Sequence, residues 1–340
     1  MTRTRSAVAI AVATTAAAAA FWLSGCGGTG HHPPTVDPQA RRVAYFWRAE
    51  RFRGNVLAVS LTDGGTVEPI IGTEAGNANC TGCHSTSPTG EYVAASVGYG
   101  NLKVMSVATR MWVDPPGFTG GSFLTWNPNG TDEFVYSDGH RLMRGTVSGG
   151  VVGPIPGTDN ADRFRIMPAW SPNNVIAYIR GTAGSSWRTT GANDVYTIPV
   201  GGAGNDGTPL PGASGDGKSH GYPAYSPNGQ WLALSVSQSP LDTFAATGAQ
   251  VQLVKTDGSG TVKTLPNLNG PTPNVSNSWP TWSLAGDEIA FSTKRSGTST
   301  DLYVAPVSQV TGADGAAQAV PEVNDPAREE FKLEWTPLRD

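Results

Sequence analysis

Cys80-Thr81-Gly82-Cys83-His84 is the part of this chain whose residue types and spacing carry chemistry. Two thiols three positions apart, with an imidazole directly after the second, follow the pattern by which a c-type haem is attached. The thiols reach the two vinyl groups along one haem edge, and the imidazole turns back to bind iron from the proximal side. Iron held this way has one protein ligand, and whatever occupies its sixth position sets its chemistry. Three other readings compete. A Cys80–Cys83 disulfide closes a tight, strained ring. Zinc wants about four ligands, and no second cysteine pair exists. A thioredoxin-like redox pair expects a βαβ setting, which this region lacks.

The remaining cysteine, Cys26, closes an N-terminal segment of a different kind. Arg3 and Arg5 precede an alanine-rich apolar run from Ala7 to Leu23, and small residues then lead into the cysteine. This is the layout of an export signal over residues 1–25. Leu23-Ser24-Gly25-Cys26 resembles the bacterial lipobox, which implies that Cys26 is lipidated and becomes the new N-terminus. Gly27, in place of Asp, implies the outer membrane under the sorting rule of such lipoproteins. Residues 26–41, with His31 and His32 among them, read as a flexible tether. A transmembrane anchor fits less well, because the run is short and weakly hydrophobic.

Composition points to the elements that must position the motif. The 340 residues include 43 Gly and 26 Pro, while only 15% are charged. Many turns, few charges and scattered aromatics indicate an all-β protein with short strands. The net charge of −4, with no basic run, is the wrong sign for nucleic-acid binding.

One segment type recurs: an aromatic residue, a small polar residue, a Pro-Asn-Gly-like turn and an apolar strand. Its copies are Trp126-Asn127-Pro128-Asn129-Gly130, Trp170-Ser171-Pro172-Asn173, Tyr225-Ser226-Pro227-Asn228-Gly229 and Trp282-Ser283-Leu284-Ala285-Gly286. Weaker copies are Ser87-Pro88-Thr89-Gly90 and Trp335-Thr336-Pro337, and the turns follow one another at 40–57 residues. That period, filled by four short strands A to D, is the signature of a β-propeller blade. The front of the chain supplies strands B, C and D of one blade, and the C-terminal segment supplies its strand A. The expected fold is therefore a six-bladed β-propeller over residues 42–340, with one blade closed by N- and C-terminal strands. The repeat resembles that of TolB-like propellers (x-P-x-W-S-P-D-G-x-x-I-A-F), with the usual Asp replaced by Asn, Thr or Ala. The resemblance implies a scaffold that holds protein partners, although the separate N-terminal α/β domain of TolB is missing.

Aligning the copies sets Cys83 against Met167, and His84 against Pro168, Pro223 and Pro280. Thr86 then falls where other blades carry Trp or Tyr, a gap that a flat macrocycle could fill. Candidates for the sixth iron position are Met167, foremost on this alignment, then Met105, Met111, Met143, His140 and His220; an open position is the alternative. Arg48, Arg51, Arg53, Arg163 and Arg165 are either solvated or partners for haem propionates. The functional expectation is an exported, lipid-anchored monohaem c-type cytochrome that passes electrons to a redox protein. A haem-dependent enzyme with a small-molecule substrate at the channel mouth, and a TolB-like binding scaffold, are the alternatives. No paired carboxylates or Ser-His-Asp arrangement supports other catalysis.

Overall fold

The repeated Ser of each copy shows why the chain folds as it does. The backbone N–H of Ser226 donates to Trp231 O at 2.9 Å, and Gly229 N donates to Ser226 O at 2.8 Å. The Ser226 hydroxyl accepts from Trp231 N at 3.0 Å. Ser87 and Ser283 repeat this arrangement with Tyr92 and Glu288. A small hydroxyl side chain thus fixes the A–B turn from inside, and glycine takes the left-handed conformation at its end (Gly229, φ 70°).

In this computed structural model the described residues are 43–50, 53–60, 67–71, 81–97 and 101–335, apart from 119, 131, 161, 182–183, 186–187, 190–191, 239–245, 273 and 298. They form six antiparallel sheets arranged as the blades of a β-propeller, with one helical turn, Pro266–Asn269, between the last two. Blade 1 runs Glu329–Trp335, Val43–Glu50, Arg53–Ser60 and Glu68–Ile71, so the ring is closed by strands from the two ends of the chain. Strands A of blades 2 to 6 are Thr81–Thr86, Phe123–Trp126, Phe164–Trp170, Ser219–Tyr225 and Asn277–Trp282. The core lies between neighbouring sheets, where Val, Ile, Leu and aromatic side chains of adjacent blades interdigitate.

Blade 2, which carries the cysteine motif, has three strands where the repeat predicts four. Its outer strand, Leu102–Ser106, is covered by an irregular segment: Val113 N donates to Val104 O, and the Asp114 carboxylate accepts from Val104 N at 3.1 Å. One antiparallel bridge, Met105 with Trp112, and this carboxylate stand in for the fourth strand and blunt the edge. In blade 4 the long B–C connection carries a small hairpin, Gly184–Ser185 with Arg188–Thr189.

A buried ion pair spans the closing seam. Glu330 has no exposed side-chain surface, and its Oε1 accepts from Arg48 Nε at 2.8 Å. Arg48 also donates to Val323 O at 2.6 Å. Burial pushes the Glu330 carboxyl up to about 7, with the Arg48 charge opposing. A carboxyl whose folded value is raised contributes stability that is complete below its unfolded value near 4.5 and is lost as pH rises through about 7. Glu330→Gln is therefore expected to lose this dependence and to gain about 2–3 kcal/mol relative to wild type between pH 5 and pH 8. Denaturant titrations at the two pH values measure the difference; equal pH slopes for the two proteins would refute it.

Candidate functional site

Strand A of each blade lines the central channel, and five of the six carry a β-bulge at the same place. Cys83, Met167, Tyr222, Trp279 and Lys332 occupy that place with φ between 45° and 55°. The pairing register slips there in every case given for blades 2, 4, 5 and 6. Left-handed backbone at a non-glycine residue usually draws attention as local strain. Here it recurs around the ring, so at Cys83 it belongs to the architecture. Phe123 of blade 3 sits at the sixth position without the slip, pairing directly with Ser137.

These six residues close the channel like a diaphragm. Phe123, Met167, Tyr222 and Trp279 belong to one buried cluster, and half-buried Cys83 packs against it. Tyr222 and Trp279 stack with ring centres 4.0 Å apart and planes at 20°. The Met167 thioether accepts the Tyr222 N–H at 3.3 Å. Cys83 and Met167, aligned by the repeat, thus face the same assembly of side chains. Cys80, like Cys26, His31, His32 and Arg51, lies outside the described residues.

His84 follows the bulge and points the other way. Its counterparts are Leu124, Pro168, Pro223, Pro280 and Leu333, so an imidazole occupies a place that the other blades give to apolar side chains. It is completely buried. Its Nε2 lies 3.3 Å from Tyr45 O, and since a carbonyl only accepts, Nε2 carries the proton and donates. Nδ1 is then a bare lone pair, buried without a hydrogen-bond partner among the described residues. Burial lowers the imidazole to about 4, against a smaller opposing effect of Glu334. The ring is neutral at pH 7, the form in which imidazole binds a metal.

Lys332 and Glu334, on strand A of blade 1, hold the backbone around His84. Lys332 Nζ donates to His84 O and lies 2.7 Å from Glu334 Oε1. Glu334 Oε2 accepts from Thr86 N at 2.7 Å and from the Thr86 hydroxyl at 3.3 Å. The carboxylate therefore engages the repeat position where blade 2 lacks its aromatic. The repeat gave one sign of this pair, since Lys-Leu-Glu-Trp is the only strand A copy with two charges.

On the C-terminal side of the diaphragm the channel widens into a cavity of about 160 Å³. Its lining includes Met167, Tyr222 and Trp279 with the residues that follow them, together with Lys332 and Glu334; Cys83 and His84 are not part of it. A void of about 150 Å³ takes one benzene, so a porphyrin does not enter this cavity. The donor types of the motif are those that a covalent haem takes, a neutral imidazole with an unpartnered nitrogen next to a half-buried thiol.

The other predicted ligands and cations are placed elsewhere. Met105 is buried in the core with Tyr45 and Val93; Met143 packs against the cluster around Phe134; Met111 is 66% exposed. His140 lies tilted against Phe164, ring centres 4.5 Å apart, with its Nδ1 3.0 Å from Arg163 O. His220 is buried, with its Nδ1 2.8 Å from Asn193 O, and desolvation lowers its pKa. Arg165 is neither solvated nor available to a propionate. It is buried against Asp206 and donates to His140 O at 2.7 Å and Asn160 O at 2.6 Å. Arg48 is taken by Glu330. Among the described residues, no group of three or more His, Cys, Asp or Glu could hold a metal ion.

No family model matches the chain, and no curated protein matches it. Solved structures do. A protein described as TolB from Agrobacterium tumefaciens superposes with a TM-score of 0.54 over 87% of this chain and 99% of its own, at 17% identity. The fold is TolB-like. An oligogalacturonate lyase in complex with manganese superposes on this TolB-like ring with a TM-score of 0.50, over 82% of this chain and 73% of the lyase, at 15% identity. At these identities the likeness concerns architecture, and function rests on the site.

Proposed function

We propose that this TolB-like propeller carries one haem c, bonded through Cys80 and Cys83 with His84 as axial ligand, and serves as an electron carrier. The observation that supports it is His84. A fully buried neutral imidazole with an unpartnered nitrogen stands where every other blade has Pro or Leu. Leaving such a polar atom unsatisfied costs about 1–3 kcal/mol, and a bound metal would satisfy it.

When bound, the haem supplies one-electron transfer. The chain's own residues do the rest. Tyr45 O fixes the His84 tautomer by accepting its Nε2 proton, an orientation device common to metal-binding histidines. Lys332 and Glu334 secure the backbone of His84 and Thr86. The packed diaphragm covers one side of Cys83. The export signal, lipidation at Cys26 and attachment to the outer membrane belong to the same reading; haem attachment of this kind takes place after export.

The test is production with a cytochrome c maturation system, followed by intact mass and a haem absorption spectrum. The expected product is heavier by one haem, with a Soret band; Cys80→Ser with Cys83→Ser is expected to lose both. Wild-type protein without added mass would remove the cofactor and leave a TolB-like binding scaffold.

A further inference from the structure

We propose that the channel cavity binds a single neutral, hydroxylated aromatic ring, a ligand of the phenol class. The site is separate from the haem motif, since neither Cys83 nor His84 lines it. Its size selects one ring, being close to that of a void that takes benzene. Its floor is the stacked pair of Tyr222 and Trp279, which presents an aromatic surface for a further ring to lie on or abut. Pro168, Pro223 and Pro280 stand at one level around it. Proline brings an apolar ring and no N–H, so these walls ask for no hydrogen bond from a ligand.

Charge then decides the substituent. Lys332 and Glu334 are the charged side chains in the lining and pair at 2.7 Å, so together they bring no net charge. A carboxylate ligand would meet Glu334, and an ammonium would meet Lys332. A hydroxyl suits both, because it accepts from an ammonium and donates to a carboxylate. Lys332 has three N–H donors, of which Glu334 and His84 O take two. Thr125 and Thr281 add hydroxyls on the wall, and burial holds the Tyr225 phenol protonated well above its ordinary range.

Calorimetric titration of the full exported protein with phenol, benzoate, toluene and glucose tests this. Phenol is expected to saturate one site with a Kd of about 1 mM or tighter, and benzoate to bind at least about tenfold more weakly. Ala224→Phe, which fills the cavity, should abolish phenol binding; Thr281→Trp does the same from the neighbouring blade should the first variant not fold. Lys332→Met should weaken phenol about tenfold and leave toluene unchanged. Absence of saturable phenol binding overturns the proposal. So does phenol binding that survives a folded cavity-filling variant, or a site that prefers benzoate or glucose.

Discussion

His84→Leu is expected to raise the stability of the haem-free chain by about 1–3 kcal/mol at pH 7 while abolishing stable haem coordination. Two blades already show that the position accepts leucine: Leu124 and Leu333 stand there, both buried. Leucine would remove a buried nitrogen that has no partner and put apolar atoms in its place. The acid limb should change with it. The His84 imidazole falls from 6.5 to about 4 on folding, so the unfolded chain takes up the proton first as pH drops. Stability from this group is complete above about 6.5 and is lost as pH falls towards about 4. The whole window is worth at most about 3 kcal/mol. The variant should therefore be flatter than wild type between those values in denaturant titrations of both haem-free proteins. A leucine variant that unfolds more readily than wild type at pH 7 would show that the imidazole is structural.

Arg165→Met is expected to go the other way and cost about 3–5 kcal/mol. The guanidinium is buried and satisfies Asp206 together with the carbonyls of His140 and Asn160. Removing it takes away the buried donor that these acceptors share at the seam between blades 3 and 4. Arg180→Met provides the comparison. Arg180 reaches the same Asp206 at 3.0 Å from a partly exposed position, and its loss should cost about 1 kcal/mol. Midpoints from chemical denaturation separate the two. Equal effects would mean that Asp206 can be satisfied from either side and that burial of Arg165 is incidental.

The blades were legible because the A–B turn needs the same few residues each time. A hydroxyl such as Ser226 closes the turn and a glycine such as Gly229 ends it, so chemistry repeats wherever geometry repeats. Blade 2 was misread at its edge, since a single bridge from Met105 to Trp112 and the Asp114 carboxylate stand in for strand D and leave no periodic trace. The motif was legible as a motif, but the burial of His84 was not; alternation along a strand with a bulge does not say which face a side chain takes. The diaphragm was hidden for another reason. Cys83, Phe123, Met167, Tyr222, Trp279 and Lys332 share a position and no chemical type, so only the alignment of repeats, applied to all six, would have revealed them. Arg165 looked like a surface cation because charge is usually solvated, and its acid, Asp206, lies 41 residues away.

The closing seam has a consequence for how the molecule comes into being. Arg48 and Glu330 are 282 residues apart, so their contact cannot form until nearly the whole polypeptide has been synthesised. Joining ends that distant costs about 5 kcal/mol of chain entropy, to be offset by one strand pairing and a neighbouring blade. During that interval Val43–Glu50 presents an unsatisfied β-edge to its surroundings. The newly made chain is accordingly most exposed to aggregation at this first strand until the C-terminal strand Glu329–Trp335 pairs with it.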